Sequence, residues 1–322
     1  MTSRDKGLIK DRFVTVIGGA NIDIHGKSNR SLRPRDSNPG SVHTSAGGVA
    51  RNVAENLARL GVDCRLISAV GNDHHGQMLL HLSREAGIDV QNVHVIDSSP
   101  TSTYLSVLDD TGDMQVAIAD MSIIDRLSAE LLMPQQAMLR QSALIVLDSN
   151  LPDDTLAWLT RSFAATPIFA DTVSTTKALR LKPYLPSIHT LKTGTIEVEA
   201  LTGLEARTQT QLLKVADRLH GNGVERVFIT RGDQGVFYSS NDGRGMQEMK
   251  RDKREIHNAG GAGDAFLAGL AYAWLQDWTL EKSLRFALAA ADITLSHPAT
   301  SSPALSLAAV NQVMELQRAG KH

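Results

Sequence analysis

A single carboxylate stands beside a group of glycines towards the end of the chain. The stretch reads "HNAGGAGDAFLAGL" over 257–270, and Asp264 is its only acid. Apolar residues at helical spacing follow directly: Phe266, Leu267, Leu270 and Trp274. Backbone N–H groups at the start of a helix have no partner within it and attract anions. Because glycine lets a ligand approach the backbone closely, the amides of Gly261, Ala262 and Gly263 are typical of a phosphate site.

Asp264 has two interpretations at this stage. A carboxylate would be repelled by a phosphate bound at the same amides, so it needs a task of its own. Beside a substrate hydroxyl it could accept the proton as that oxygen attacks phosphorus. An acid in the first turn of a helix is also favourable by up to about 1 kcal/mol without any chemistry. This stretch alone leaves both interpretations open.

Two earlier stretches add polar residues next to predicted elements. "GGANID" (18–23) places Asn21 and Asp23 after the first predicted strand, where Asp23 could accept hydrogen bonds from paired sugar hydroxyls or simply occupy a turn. "AGGVARN" (46–52) places Gly47 and Gly48 before a helix, as a hinge, with Asn52 one turn inside it.

A third glycine-bounded stretch, "ITRGDQG" (229–235), ends a predicted strand in a turn that can admit a flat base. The familiar nucleotide loops are absent from the sequence. The "GKS" at 26–28 lacks the glycine five residues earlier that a Walker A loop needs, and no G-x-G-x-x-G follows a strand. His74 and His75 are adjacent, which is not the usual spacing of metal ligands.

Composition excludes several classes of protein. The 322 residues carry a formal net charge of -2, which gives no reason to expect a nucleic-acid or membrane partner. The one basic cluster, "KRDKRE" at 250–255, is typical of a solvated loop. One cysteine, Cys64, allows no intrachain disulfide and no thiolate metal cluster. The polar start of the chain and the lack of a long apolar run predict a cytoplasmic protein.

The elements that must position these residues alternate along the chain. Short buried-strand patterns alternate with helical patterns such as 49–61, and this order predicts a mainly parallel sheet covered by helices on both faces. The predicted strands lie at 13–19, 64–71, 143–148, 167–171 and 226–232. Ligands gather at the carboxyl ends of the strands in such sheets.

Two segments interrupt this alternation. The polar segment 26–48 is too long for an ordinary connection, and 101–120 has the pattern of two strands joined around Asp109, Asp110 and Gly112. We interpret them as a small β element that stands off the main sheet as a lid. Surface decoration is the alternative.

Taken together, the motifs resemble the PfkB/ribokinase family of sugar and nucleoside kinases. The matching stretches occur in order over most of the chain: "GGANID", "AGGVARN", "VGNDHHG", "ITRGDQG" and "GGAGDAFLAG". Within the family, "DSNPG" (36–40), "TSTYLSVLDDTGDM" (101–114), "LDSN" (147–150) and Asn258 are most similar to a branch acting on a nucleoside with a uracil-like base. The resemblance implies a single ribokinase-like three-layer α/β/α domain over 1–322, with lid segments at about 22–46 and 99–120.

The resemblance also implies roles for single residues. Asp264 would be the general base, and the amides of Gly261, Ala262 and Gly263 would hold the transferring phosphoryl group. The implied substrate-binding residues are Asp23, Asn21, Asn52, the hinge pair Gly47 and Gly48, and, as candidates for the base or the ribose, Asn38, Thr103 and Asn150. The implied ATP-binding residues are Thr230, Gly232 and Gly235.

Three positions depart from the family pattern. The N-x-x-E motif that the family associates with magnesium appears as "GTIE", where Glu197 remains but Gly194 replaces asparagine. Gly260 replaces the usual threonine, and Asn258 lacks the charge that many relatives place near a monovalent-cation site. The resemblance implies ATP and Mg²⁺ as cofactors and makes K⁺ a candidate. Glu197 would act on the metal indirectly, through water.

Two other functions compete with phosphorylation of such a nucleoside. One is a kinase of the same fold acting on ribose, another nucleoside or a hexose derivative, since fold does not determine substrate. The other is a non-catalytic binding protein, which the departures at Gly194 and Gly260 would favour and the intact Gly-Ala-Gly-Asp opposes. By analogy with the family, the strands of the lid could also pair two copies in a homodimer.

Overall fold

Short apolar runs of the sequence form the middle of an eight-stranded sheet. The computed structural model describes residues 12–249, 260–297 and 299–318. Its strands are β1 (Phe13–Ile17), β2 (Asn21–Ser28), β3 (Gly40–Gly47), β4 (Asp63–Ile67), β5 (Ala69–Gly71), β6 (His94–Ile96), β7 (Thr103–Leu108), β8 (Met114–Asp120), β9 (Leu144–Asp148), β10 (Ile168–Asp171), β11 (Thr190–Gly194), β12 (Arg226–Thr230), β13 (Val236–Ser240) and β14 (Gly243–Gln247).

The central sheet has the order β14-β13-β12-β11-β10-β9-β1-β4. Neighbouring strands from β12 to β4 are parallel, and β13 and β14 continue the sheet antiparallel at one edge. The prediction of a mainly parallel sheet is therefore confirmed. Because parallel strands end at the same edge, the residues that follow β1, β9, β10, β11 and β12 lie along one side of the sheet.

Helices cover both faces of this sheet. The helices are α1 (Val49–Arg59), α2 (His74–Glu85), α3 (Ala129–Leu132), α4 (Gln136–Gln141), α5 (Asp153–Ser162), α6 (Thr175–Ala178), α7 (Thr195–Thr202), α8 (Gln209–Gly221), α9 (Ala262–Leu275), α10 (Leu280–Leu295) and α11 (Leu307–Arg318). One apolar cluster joins the sheet to α1, α9, α10 and α11, and a second joins its other face to α5, α7 and α8. This three-layer arrangement is the predicted ribokinase-like architecture.

One predicted strand is wrong in extent. The run 64–71 forms two strands, β4 in the central sheet and β5 in a separate pair with β6. The chain leaves the central sheet at Ser68, whose hydroxyl donates to the carbonyl of Gly18 at 2.7 Å. The Ser68 hydrogen bond thus marks the break between β4 and β5, which the apolar residues on both sides of it do not indicate.

A second sheet stands off the central one. This small sheet has the order β3-β2-β7-β8, with β2 and β7 parallel and the outer pairs antiparallel. Ile22 and Ile24 on one face pack near Leu79 of α2. Asp23 lies between them in sequence, so its side chain is on the opposite face. The strands β7 and β8 confirm the hairpin predicted for 101–120.

Short 3₁₀ helices complete the chain at Ser122–Arg126, Met133–Gln135, Leu179–Ser187 and Gly232–Gln234. Among the helices of residues 12–249, 260–297 and 299–318, none combines the length and apolarity needed to cross a membrane.

Candidate active site

Charged side chains lie level with one another on three neighbouring strands of the central sheet. Asp148 is the last residue of β9, Asp171 is the last residue of β10, and Lys192 is the middle residue of β11, which extends two residues further. In the sheet register Asp171 is paired with both Asp148 and Lys192. Two carboxylates and one ammonium group therefore lie side by side at the edge where ligands bind.

Asp264 reaches this edge from the first turn of α9. The helix begins after Gly261, which has a φ of 78° and lies so close to the carbonyl of Thr300 that a Cβ would collide with it. Asp264 is the third residue of the helix and is 7% exposed. Its Oδ2 accepts a hydrogen bond from Nδ2 of Asn52 at 2.9 Å. The structure thus brings together two residues that are 212 positions apart.

The surroundings of Asp264 raise its pKa to about 7. Burial is the largest cause, because it disfavours the charged form, and the carboxylates of Asp171 and Asp148 add to the shift. The ammonium of Lys192 and the hydrogen bond from Asn52 act in the opposite direction. A carboxyl group with this pKa can take up a proton near neutral pH, as a general base requires.

Lys192 lies at the amino terminus of α9, where its charge acts on Asp264 and Asp171. Its Nζ donates to Oδ2 of Asp171 at 2.9 Å, and its side chain is 12% exposed. A side chain on Gly263 would collide with the Lys192 ammonium, so this charge lies against the first turn of α9. Burial lowers the pKa of Lys192, but Asp171, Asp264 and Glu197 together raise it further than burial lowers it. Lys192 is therefore held in its charged form.

This combination can bind and stabilise an anion. The free amides of a helix amino terminus and a fixed ammonium group both favour a phosphate oxygen, and they are pre-oriented in a site shielded from water. The sequence prediction included the amides of Gly261, Ala262 and Gly263 but missed Lys192. No clear sequence signal marks it, because "HTLKTG" (189–194) is a mostly polar run whose only apolar side chain is Leu191.

Asp23 forms the other end of the candidate site. Its Oδ1 accepts from Nδ2 of Asn21 at 2.7 Å, and its carboxylate lies where a side chain of Gly47 would stand. Burial raises the pKa of Asp23, while Asn21, His25 and Arg51 offset part of that shift. The Asp23 carboxylate of the small sheet therefore packs directly against the backbone of Gly47, next to the start of α1. This close contact explains why residue 47 is a glycine.

Asp148 holds three segments of the site with one side chain. Its Oδ2 accepts from the backbone N–H of Gly19 at 2.8 Å and of Ala50 at 3.1 Å, and its Oδ1 accepts from the N–H of Asn150 at 2.9 Å. Those donors belong to the loop after β1, the start of α1 and the loop after β9. Burial raises the pKa of Asp148, and the bonds from Gly19 and Asn150 oppose that shift. The sequence prediction missed this residue.

Asn150 lies at the same edge with its carbonyl group occupied. Its Oδ1 accepts from Nζ of Lys177, and its backbone carbonyl accepts from Arg180 at 3.0 Å. Its Nδ2 is directed towards Gly19, close to where a Cβ there would lie. The amide can therefore offer a donor to a ligand that contacts the Gly19 loop.

The residues predicted to bind nucleotide lie at the ends of β11 and β12. Thr230 is the register partner of Gly194, and its hydroxyl donates to the carbonyl of Thr193 at 3.2 Å. Gly232 and Gly235 follow, with φ of 58° and 82°. The Glu197 carboxylate folds over Gly194 and occupies the space of a side chain there. The departure at Gly194 thus has a structural counterpart in the position of Glu197.

Two predicted residues are not brought into this cluster, and a third lies outside the described residues. Thr103 is the register partner of Ile22 and so lies on the face of the small sheet opposite Asp23. Asn38 is half-buried near the far end of that sheet, where its side chain forms hydrogen bonds with the backbone of Arg33 and Asp36. Asn258 lies outside the described residues. Their predicted roles remain predictions.

The residues at this edge fit a metal held mainly by water and phosphate. No group of three or more His, Cys, Asp or Glu side chains is arranged to hold a metal ion in the part of the chain that the structure describes. Magnesium needs only one or two protein carboxylates when substrate phosphates and waters supply its other ligands. Glu197 is a carboxylate whose charge contributes to raising the pKa of Lys192 at this edge of the sheet.

Comparison with known proteins agrees with this geometry. The family described as pfkB family carbohydrate kinase matches residues 11–307. Pseudouridine kinase of Escherichia coli is 39% identical over 94% of this chain and 96% of its own length. A crystal structure of a putative sugar kinase from Clostridium perfringens superimposes with a TM-score of 0.83 at 34% identity, over 95% of this chain and 96% of that one.

A more distant structure shares the fold. Arabidopsis thaliana ribokinase, solved with ribose and ATP, has a TM-score of 0.85 at 21% identity, over 94% of this chain and 99% of that chain. The protein is thus a phosphotransferase with an alcohol group as acceptor, and kinases of this type generally use ATP and Mg²⁺. By its sequence, its three-layer fold and the residues at its sheet edge, the chain belongs to the PfkB family of carbohydrate kinases.

Proposed function

We propose that the chain transfers the γ-phosphoryl group of ATP to the 5′-hydroxyl of pseudouridine, giving pseudouridine 5′-phosphate and ADP. The observation that carries the proposal is the position of Asp264, bonded to Asn52 and next to Lys192 at the amino terminus of α9. This arrangement supports a base and an anion site that act side by side. The similarity to a pseudouridine kinase supports the choice of nucleoside.

In this mechanism Asp264 accepts the proton of the 5′-hydroxyl. The 5′-oxygen forms a bond to the γ-phosphorus, the bond from that phosphorus to the β–γ bridging oxygen breaks, and the electron pair leaves with ADP. The transition state is largely dissociative, so the proton can reach the Asp264 carboxylate after the new bond has begun to form. Asn52 holds the carboxylate in place through its 2.9 Å hydrogen bond.

The amino terminus of α9 stabilises the moving phosphoryl group. The amides of Gly261, Ala262 and Gly263 donate to its oxygens, and Lys192 adds a positive charge beside Gly263. Lys192 also keeps a fraction of Asp264 ionised, because it lowers the pKa of that carboxyl group against the effect of burial. One side chain therefore serves both the phosphate and the base.

The ribose is held at the other end of the site. Asp23, positioned by Asn21, accepts hydrogen bonds from ribose hydroxyls, and Asn52 contributes a further polar contact. Asn150 offers its amide nitrogen from the opposite side. The pair Gly47 and Gly48 joins the small sheet to α1 and serves as the hinge by which that sheet closes as a lid. Closure excludes water, which would otherwise compete as the acceptor.

The nucleotide lies along the ends of β11 and β12. Thr230, Gly232 and Gly235 form the wall of its pocket. Gly232 leaves open space for a flat base, whereas Gly235 packs against the backbone of Gln247. Glu197 would hold magnesium through water, and the metal would supply positive charge that offsets the charge of the phosphates. The proposed K⁺ site would involve Asn258 and stays a prediction.

ADP release tests the proposal across five acceptors: pseudouridine, uridine, adenosine, ribose and fructose. We expect pseudouridine to give the highest kcat/KM. A higher value for another acceptor would replace the substrate while keeping the reaction. Tight binding of one compound without ADP release from any would show a binding protein instead of a kinase.

We further propose that two copies associate through the outer face of the small sheet, which we define as the face opposite Asp23. Its exposed apolar side chains are Val42, Leu105, Val116 and Ile118. Large apolar groups on one sheet face favour burial, and a two-fold axis would pair this face with itself.

We also propose that the enzyme is located in the cytoplasm, where its single cysteine, Cys64, stays reduced.

A further inference from the structure

The inner face of the small sheet, on the same side as Asp23, carries a row of polar side chains beyond that residue. Residues on one face alternate along each strand and match across register partners. Asp23 is paired with Ser45 and Tyr104, and His25 is paired with His43 and Ser106. We define the inner face by these residues: Asp23, His25, His43, Ser45, Tyr104 and Ser106. The function proposed above gives a role to Asp23 alone among them.

His25 and Ser106 form a fixed pair within this face. Nδ1 of His25 and Oγ of Ser106 are 2.5 Å apart. Ser106 is 1% exposed, so its hydroxyl lies beneath the imidazole, whereas His25 itself is only partly buried. A buried hydroxyl bonded to one ring nitrogen sets the orientation of the ring. The other nitrogen, Nε2, is on the far side of the ring from Ser106.

The position of this pair follows from the order of residues along β2. The strand begins at Asn21, next to the loop bound by Asp148, and runs outward to Ser28. His25 lies two residues beyond Asp23, or roughly 7 Å further out on the same face. In a nucleoside the 5′-carbon and the base are attached on opposite sides of the ring oxygen. With the 5′-oxygen at Asp264 and the ribose hydroxyls at Asp23, the base extends towards the outer part of the inner face.

We propose that His25, oriented by Ser106, is the residue that recognises the base of the nucleoside. The inference rests on the proposed function and deepens it by naming a specificity-determining residue. A uracil-like base presents N–H donors and carbonyl acceptors around its rim, and a neutral imidazole nitrogen can pair with either kind. A site that hydrogen-bonds part of its substrate discriminates strongly against compounds that lack that part, because its own polar group is left unpaired.

Substitutions can test the two ring nitrogens of His25, Nδ1 and Nε2, one at a time. His25→Asn keeps a polar atom near the position of Nδ1, and so the bond to Ser106, but removes the group at Nε2. His25→Gln places an amide near the position of Nε2. Ser106→Ala leaves the ring in place but removes the bond that orients it. His74→Asn, an exposed histidine on α2 outside the small sheet, is the matched control.

Each variant is assayed with pseudouridine, uridine and ribose, with ribose measured as a competitive inhibitor if it is not phosphorylated. For His25→Asn we expect the KM of pseudouridine to rise about tenfold, because the loss of one hydrogen bond weakens binding by roughly this factor. The constants for ribose and ATP should stay within about twofold, because neither ligand contacts the ring. His25→Gln should restore part of the affinity, Ser106→Ala should lie between the two, and the control should match the wild type.

Two results would overturn the inference. One is an unchanged KM for pseudouridine in His25→Asn. The other is an equal rise for pseudouridine and ribose, which would show that His25 only supports the small sheet. Failure of the proposed function is seen separately, in the wild-type chain: if it phosphorylates no nucleoside, the substrate is wrong before any variant is compared.

Discussion

Three buried carboxylates share one buried ammonium group in this site, and the imbalance decides what Asp264 can do. Asp148 is satisfied by three backbone N–H groups, and Asp171 is paired with Lys192 at 2.9 Å. Among the described residues, Asp264 accepts a hydrogen bond from the Asn52 amide and has a more distant share of the lysine charge. Burial raises its pKa to about 7, so it can accept a proton near neutral pH, and this is the property that a base needs.

Replacing Asp264 by asparagine should remove the base while keeping the shape of the site. We expect kcat to fall by about 10²- to 10⁴-fold, the usual contribution of a general base, with little change in ATP binding. Turnover by ADP release and ATP affinity by calorimetry measure the two effects. Near-normal turnover in this variant would exclude Asp264 as the base.

The stability of the same variant tests its environment. The folded-state pKa of Asp264 is raised from 3.8 to about 7, so the folded protein binds this proton more tightly than the unfolded chain. The resulting stabilisation is present at low pH and is lost as the pH rises through about 7. Asp264→Asn should therefore have a Tm equal to or above that of the wild type at pH 8, with the difference shrinking towards pH 5. A lower Tm at pH 8 would contradict the assigned pKa.

The pH dependence of catalysis tests Lys192. Because the base must be ionised, kcat/KM should rise with pH through about 7 in the wild type. Lys192→Met removes the charge that lowers the pKa of Asp264, so this rise should move to higher pH, and kcat should fall by about 10²- to 10³-fold with the loss of a phosphate contact. Lys182→Met, at an exposed lysine before β11, is the control. An unchanged pH profile of kcat/KM in Lys192→Met would show that Lys192 does not affect the pKa of the base.

At this scale the sequence predicted the residues that belong to glycine-rich motifs and missed those that do not. Asp264, Asp23 and Asn52 stand in short recognisable stretches. Lys192 and Asp148 are single charged residues within β11 and at the end of β9, and their roles depend on neighbours that the sheet register brings beside them. Lys192 is next to Asp171 only because β10 and β11 are paired in parallel. Such a partner, 21 positions away, cannot be identified from local pattern.

Between elements, the small sheet and α1 meet at a contact that allows no side chain. The carboxylate of Asp23 lies on the α-carbon of Gly47, and Gly48, with a φ of 98°, begins α1 against the carbonyl of Gly19. The predicted hinge pair is therefore also a packing requirement. Any atom added at Gly47 must displace the group that we propose binds ribose.

Gly47→Ala should accordingly weaken nucleoside binding more than ATP binding. We expect the KM of pseudouridine to rise by about tenfold or more. The added methyl group would shift the Asp23 carboxylate and so remove at least one hydrogen bond to the nucleoside, which is worth about this change in affinity. Gly26→Ala is a matched control in the same sheet, since its Cβ would meet only the carbonyl of Ser106 at 3.9 Å. Equal effects at both glycines would show a general loss of the small sheet.

Elements were predicted well where apolar residues alternate cleanly with turn residues. The strands β1, β9, β10 and β12 and the helices α1 and α9 follow their patterns to within two residues. The pattern 64–71 did not reveal that β5 leaves the central sheet, because both strands are equally apolar and only Ser68 marks the break. The face on which Thr103 lies was equally hidden, since a one-residue change of register reverses it.

On the scale of the whole molecule, the two faces of the small sheet have opposite characters. The inner face is polar, whereas the outer face exposes side chains such as Val42 at 73% and Ile118 at 63%. Large apolar side chains on a sheet face are costly to leave in water. This asymmetry is the basis of the proposed homodimer.

Ile118→Glu should dissociate such a dimer. A charge at the centre of a buried apolar interface is unfavourable, and a two-fold axis introduces it twice. Sedimentation or light scattering should show a dimer for the wild type and a monomer for the variant. Ile196→Glu, at an exposed isoleucine on α7, should keep the mass of the wild type. A monomeric wild type would exclude the proposed dimer.

The three bonds of Asp148 also bear on how the molecule is made. They join residues up to 129 positions apart, so the acceptor end of the site cannot form on a ribosome-bound chain until β9 has emerged. The Asp264 end is later still. Long-range contacts of this kind form late and slow folding. Affinity for the nucleoside should therefore appear only with the fully folded chain, which makes ligand binding a direct reporter of complete folding.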